Sequence, residues 1–339
     1  MNLRERILSA LAYYDAFEFP LTAQEIFLAL PAPWPSGFTG PATFQSRPVF
    51  EDLENTLAET VRLGAVGSSE GMYFLAGREA AVASRKSRYL LAEGKYARVR
   101  TFFTLARFAP YLRAAFVCNT LARSYARAGS DIDMFVVAAP GRIWLTRLFV
   151  TGLAALLRVR PTETESADRI CLSFFVTEDA LDLKPLAIDG DVYLPHWLQE
   201  LYPVYDEAGA TRRLFAENGW LRDVLPGTRV QTPSRRRAVE ARLVGAKRAL
   251  ERLLDGLFGD RHEHWAERRQ KAWMPAALRA AANSPASDVV LSDRILKFHD
   301  RDRRAEIRDA YLEKMKRITR LQGERNEEPI PAYAVRTLA

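Results

Sequence analysis

The chain has 339 residues, 48% hydrophobic and 27% charged, the balance of a soluble globular protein long enough for two or three cores. Its net charge of +7 is unevenly spread: residues 1–80 carry five arginines against ten carboxylates, residues 235–320 carry 22 basic residues against 13 acidic ones. Attraction to anions therefore belongs to the C-terminal part, and two cysteines, Cys118 and Cys171, exclude a disulfide framework. Both cysteines sit in apolar runs and read as buried, inert thiols of a cytoplasmic protein. The first residues lack the apolar core and cleavage site of a secretion signal. The apolar run Ile143–Leu157 contains Arg147 and falls short of the ~20 residues of a membrane span, so no membrane is expected.

In chain order, Ile7, Leu8, Leu11 and Tyr14 recur at helical spacing. Thr22 with Glu25 three residues on forms a capping box for a second helix. A Pro/Gly-rich loop (31–48) precedes a third helix ending at Gly64, then two short strands around Ser68-Ser69-Glu70-Gly71. This order predicts a winged-helix-like domain over residues 1–80. Such a domain can dock a helix into DNA, but Glu51, Asp52, Glu54 and Glu59 place negative charge on the helix that would do so. Docking on protein is the favoured use, and DNA is disfavoured as a partner.

Residues 81–112 read as a basic helical connector. From 113 to 230 a strand (114–118), a helix (120–126), a strand (131–138), an apolar helix (141–159) and the strand "ICLSFFV" alternate, as in a sheet covered on at least one face. Residues 231–322 read as a basic helical region, with Val239, Leu243, Ala246, Leu250, Leu253 and Leu254 on the apolar side of one long helix. Residues 323–339 read as a flexible tail.

The chemistry concentrates at "NTLARSYARAGSDID". Residues i and i+2 of a strand share a face, so Asp131 and Asp133 aim their carboxylates together. Such a pair suits Mg²⁺ or Mn²⁺, which takes one or two carboxylates plus substrate phosphates. The turn at Asn119-Thr120 leads a strand into a helix and offers backbone N–H groups to phosphate. Arg123 and Arg127 stand between the two halves, within reach of phosphate oxygens or as a solvated basic loop. Ser130 precedes the acidic pair.

These residues resemble the nucleotidyltransferase superfamily, whose signature is Gly-Ser, about ten residues, then Asp-x-Asp. Here ten residues separate Asn119-Thr120 from Asp131-Ile132-Asp133, with Asn-Thr in place of Gly-Ser. Segments such as "LAYYDAFEFPLTAQEI", "GRIWLTRLFVT" and "RICLSFF" look like bacterial proteins that join a winged-helix-like segment to such a domain. The resemblance implies an α+β fold class: a nucleotidyltransferase-fold mixed sheet with helices, preceded by a winged-helix-like domain and followed by a helical region. It implies Asp131 and Asp133 as catalytic metal ligands, with Asn119, Thr120, Arg123 and Ser130 binding nucleotide. It further implies metal-dependent transfer of a nucleoside monophosphate from an NTP to an unknown acceptor, whether protein, RNA or small molecule. Active members also place a third carboxylate on a later strand; "ICLSFFV" offers only Ser173, with Asp168 before it and Glu178 after it. A degenerate domain that binds nucleotide or a protein partner is therefore the alternative, and a DNA-binding regulator the third.

Other candidates are weaker. His262 and His264 lie two apart on a helical stretch and point to different faces, which argues against zinc. Lys297 and His299 in Ile295–Arg304 either reach over the site to hold a phosphate or begin a surface helix. No glycine-rich phosphate loop and no serine-hydrolase elbow occurs in the sequence.

Overall fold

The structure is a computed structural model that describes residues 1–32, 48–162, 164–207, 209–282, 288–298 and 302–327, the last seven of these and residue 258 as backbone only. Most of the expected loop 31–48, His299, and the tail beyond residue 327 lie outside the described residues.

Local signals account for the N-terminal elements. Helix α1 (Leu3–Asp15) opens on an Asn2/Glu5 capping box, and strand β1 (Leu21–Thr22) leads into α2 (Ala23–Ala29), closed by the expected Thr22/Glu25 box. α3 (Phe50–Arg62) buries Leu53, Leu57 and Thr60 at helical spacing, and its acidic residues face solvent. β2 (Val66–Ser69) and β3 (Met72–Leu75) turn at Glu70-Gly71, both at positive φ, the backbone a tight two-residue hairpin requires. The three strands form a small sheet in the order β1-β3-β2.

The 27-residue α4 (Ala80–Ala106) carries the chain to the main sheet. There follow β4 (Leu112–Val117), α5 (Asn119–Ala122), β5 (Ile132–Ala138), α6 (Ile143–Leu156), β6 (Ile170–Thr177), α7 (Tyr193–Glu200), β7 (Tyr202–Asp206), α8 (Ala210–Glu217) and α9 (Leu221–Val224). After them come α10 (Val244–Phe258), α11 (Asp260–Trp273), α12 (Ala276–Ala282), β8 (Val290–Leu291), β9 (Ile295–Lys297) and α13 (Arg304–Glu327). The six strands run in the order β7-β4-β5-β6-β9-β8, with β5 and β6 parallel and the other pairs antiparallel. The fold is mixed α+β.

Alternation along β5 makes this a two-faced sheet. Ile132, Met134 and Val136 pack with Tyr96, Phe103 and Trp144 under α4, α6 and α11. Phe135 and Val137 pack with Phe116, Trp197 and Leu214 under α7, α8 and α9. Phe116 and Phe135 are fully buried, each stabilising the fold by about 1.5–3 kcal/mol.

Three expectations need correction. The helix expected over 120–126 is a single turn, because Asn119 and Ser124 both take positive φ and break it at each end. The C-terminal region is not only helical, since β9 pairs with β6 and extends the sheet, placing Lys297 beside Phe174. The long helix expected from about residue 234 begins only at Val244, after Leu243 in a left-handed conformation, while Val239 bridges to Tyr205. Its burial also differs from that expected: Lys247 and Glu251 are sealed inside and Leu243, Leu250, Leu253 and Leu257 face solvent, while Val239 and Leu254 pack against the core.

The N-terminal elements are held to the rest by polar contacts. Tyr13 stacks on His196 with ring centroids 3.8 Å apart, Tyr14 donates to Glu200 at 2.6 Å, and Asp15 is gripped by Arg78 and Lys314. Among the described residues no helix is long and apolar enough to cross a membrane.

Candidate functional site

The acidic pair lies where β5 begins, beside the end of β4 and the start of β6. The Cys118 N–H donates to the Asp133 carbonyl at 3.1 Å, which sets the turn at Asn119 directly across from Asp133. On the other flank Asp133 is in register with Cys171. Ligand atoms of Asp131, Asp133 and Cys171 all lie within 4.8 Å of one another, the one such group among the described residues.

Cys171 was missed by sequence reasoning, which placed it in an apolar run as an inert thiol. It is half-buried and faces the carboxylates. Burial, reinforced by the charges of Asp133 and Asp131, pushes its thiol up to about 12. At neutral pH it is a protonated S–H at the strand position from which a third carboxylate would face the pair. The signal was present: Cys171 and Ser173 are the two polar positions in "ICLSFFV", spaced to share a face.

Both ends of the Asn119 amide are hydrogen-bonded. The residue sits at φ +58°, a conformation that glycine adopts freely and asparagine tolerates. Tyr193 Oη at 2.9 Å and Trp197 Nε1 at 3.1 Å both donate to Oδ1, so the amide nitrogen must face the other way. That nitrogen donates to Asp133 Oδ2 at 2.7 Å. The amide thus takes up Oδ2 of Asp133, so a cation at the pair would meet the other oxygen of Asp133 beside Asp131 and Cys171. Two carboxylates with a neutral thiol suit a hard divalent ion that brings other oxygen ligands with it. They do not make a closed cage for a resident metal.

Arg123 and Ser130 make their contacts elsewhere. The Arg123 guanidinium is buried among Tyr14, Phe17 and neighbouring rings and donates to Glu200 at 2.6 Å. Burial alone would lower its pKa, but Glu200 outweighs that and holds it above its usual range. It ties α5 to the N-terminal helices and α7 and does not face Asp133. The Ser130 hydroxyl donates to the Arg127 carbonyl at 3.0 Å, and Arg127 is exposed. Thr120 lies in the single turn α5, half-buried. Asp168 pairs with Lys95 at 2.7 Å and Arg98 at 3.3 Å, and Glu178 with Arg113 at 3.4 Å and with Arg213. Neither of these acids joins the cluster.

Lys95, on the stretch read only as a connector, is a positioning residue. Its buried ammonium donates to the Ser130 carbonyl at 2.5 Å as well as to Asp168, pinning the loop before Asp131 to the entry of β6.

A cavity of about 290 Å³ opens against Asn119 and Cys118 on the face covered by α7. Phe17, Tyr193 and Trp197 form its aromatic wall, and Lys297, Arg303 and Arg304 its basic rim. Lys297 and Arg304 are held by Asp302 at 3.0 and 2.6 Å. Lys297 and Arg304, from the two ends of the stretch 295–304, therefore both border the cavity at Asn119. His264 lies 3.7 Å from Glu267. No family model, curated protein or solved structure matches the chain.

Proposed function

We propose that the chain binds a metal–nucleoside triphosphate at Asp131 and Asp133 and transfers its nucleotidyl group to an acceptor. The observation that carries this reading is the convergence of the two carboxylates, within 4.8 Å, across from the left-handed turn at Asn119. Bound Mg²⁺ or Mn²⁺ would neutralise phosphate charge and favour in-line displacement at phosphorus. Asp131 and the free oxygen of Asp133 would hold it. The base and ribose would lie along Tyr193 and Trp197, with Lys297 and Arg303 facing the polyphosphate.

Asp168 and Glu178 are bound to cations and Cys171 is protonated, so the site supplies no evident general base. An acceptor whose attacking oxygen is already ionised, a carboxylate or a phosphate, suits such a site because no proton must be removed.

Thermal-shift titration with ATP, GTP, CTP and UTP, with and without Mg²⁺ or Mn²⁺, tests the binding step. The expected result is stabilisation that needs both metal and nucleotide and disappears in Asp131→Asn and Asp133→Asn, whose folds remain intact. An unchanged shift in both variants removes the proposal. Release of pyrophosphate in the presence of carboxylate or phosphate acceptors then tests transfer.

A second reading, a nucleotide-binding or protein-interaction module without catalysis, is favoured by the Asn119 amide on Asp133 and by Cys171 in the place of an acid. Nucleotide binding without pyrophosphate release would select it. The exposed acids of α3 give no support to docking on DNA through that helix.

A further inference from the structure

A second cavity, of about 450 Å³, lies between α6, the start of β6, the end of α11 and Phe298. Arg147 and Arg160 supply its charge, and no carboxylate lines it among the described residues. Arg147 projects from an otherwise apolar helix. Its Nη1 donates to Gln270 Oε1 at 2.5 Å and its guanidinium lies 4.3 Å from the centre of the Phe298 ring, while Nε is sealed from solvent without a hydrogen bond. Among the described residues neither Arg147 nor Arg160 forms an ion pair. Burial and the nearby charge of Arg160 lower the Arg147 pKa to about 10. A half-buried arginine held beside a second cation, with no acid among the described residues to balance either, is costly to keep unless something anionic joins it.

The apolar part of the wall is as informative. Trp273, Leu278 and Leu148 line the same space, which inorganic phosphate alone would leave unfilled. Arginine's planar fork matches the two oxygens of a carboxylate or phosphate. We propose that this cavity is a binding site for an organic anion, with Arg147 and Arg160 holding its carboxylate or phosphate and Trp273, Leu278 and Phe298 covering its apolar body. The site is separate from the metal face of Asp131 and Asp133 and does not depend on the nucleotide reading, although Cys171 borders both.

The test uses the full chain in EDTA, titrated by calorimetry and thermal shift with phenyl phosphate, phenylacetate, inorganic phosphate and, as a neutral control, benzyl alcohol. At least one organic anion is expected to bind saturably and more tightly than inorganic phosphate, with no response to benzyl alcohol. Arg160→Gln is exposed and leaves the fold intact; it should weaken binding about tenfold or more, as should Arg147→Met. Asp133→Asn should leave it unchanged. Which anion binds distinguishes a phosphate ligand from a carboxylate ligand. Absence of saturable binding of either organic anion up to about 10 mM would overturn the proposal. So would binding that survives both arginine substitutions, or binding lost in Asp133→Asn alone.

Discussion

Arg113 and Arg147 are both arginines drawn into the layer between the sheet and the C-terminal helices, and they differ in company. Arg113 makes a two-pronged contact with Glu251 at 2.9 and 2.7 Å and lies 3.4 Å from Glu178 and 3.8 Å from Glu207. Lys247 and Arg248 complete the group, each 2.6–2.7 Å from Glu207. Burial would lower the Arg113 pKa, but the carboxylates outweigh it and hold it above its usual range. Arg147 has no such acids among the described residues and is pushed the other way. A balanced cluster of this kind holds the structure together, whereas an unbalanced cation marks a place where a ligand can complete the charge.

The largest effect expected from this contrast is on stability. Arg113→Met removes the close partner of Glu251, leaving that carboxylate buried and under-compensated, and should cost about 3–5 kcal/mol in urea unfolding. Arg147→Met removes an unbalanced charge and should stay within about 1 kcal/mol of the parent. Equal losses in the two variants would break the comparison.

His196 extends it to acid. Its Nδ1–H donates to the Val192 carbonyl at 2.8 Å, Nε2 is sealed without a partner, and burial lowers its pKa to about 3. A depressed folded-state pKa contributes stability that is present above the unfolded value near 6.5 and lost as pH falls toward 3. The expected loss is up to about 1.4 kcal/mol per pH unit, and His196→Phe should flatten it. Unfolding free energies measured from pH 7 to pH 4 on both chains would show this.

Glu263 gives the opposite sign. It accepts from the Trp144 and Leu145 N–H groups at 2.7 and 3.1 Å, capping α6, yet burial raises its pKa to about 7. A raised carboxylate contributes stability that is full below its unfolded pKa near 4.5 and is lost as pH rises through about 7. Glu263→Gln should remove a decline of about 1–2 kcal/mol between pH 5 and 7.5. Because this window overlaps that of His196, the two slopes partly cancel in the parent, and only the single variants separate them.

The smallest effect concerns the acidic pair itself. Asn119→Gly keeps the positive φ without strain and frees the second oxygen of Asp133. Stability should fall by about 1 kcal/mol through lost hydrogen bonds, and Mn²⁺ affinity in the presence of nucleotide should rise. Weaker metal binding would show that the amide helps to assemble the site.

Elements whose signals are local were legible in the sequence. The Thr22/Glu25 box, the Glu70-Gly71 turn and the alternation of β5 depend on residues a few positions apart, and the structure shows each of them. The same spacing rules identified Asp131 and Asp133 as a converging pair. They failed for part of α10, where Leu250 and Leu253 of the side read as buried face solvent while Leu254 packs against the core. Lys247 and Glu251 are buried there because Glu207 and Arg113, from β7 and β4, compensate them. Arg123 pairs with Glu200 from α7, a partner that no local spacing records.

Capping pairs, the hairpin turn and the Asp-Ile-Asp alternation were thus determined by the sequence alone, because each is decided within a turn or a strand. Tertiary structure alone decided that Cys171 stands opposite Asp133, that Lys297 returns to the rim beside Asn119, and that, among the described residues, Arg113 finds acids while Arg147 finds none. Charge balance inside a protein depends on partners brought together from distant segments, and no local pattern records which partners arrive.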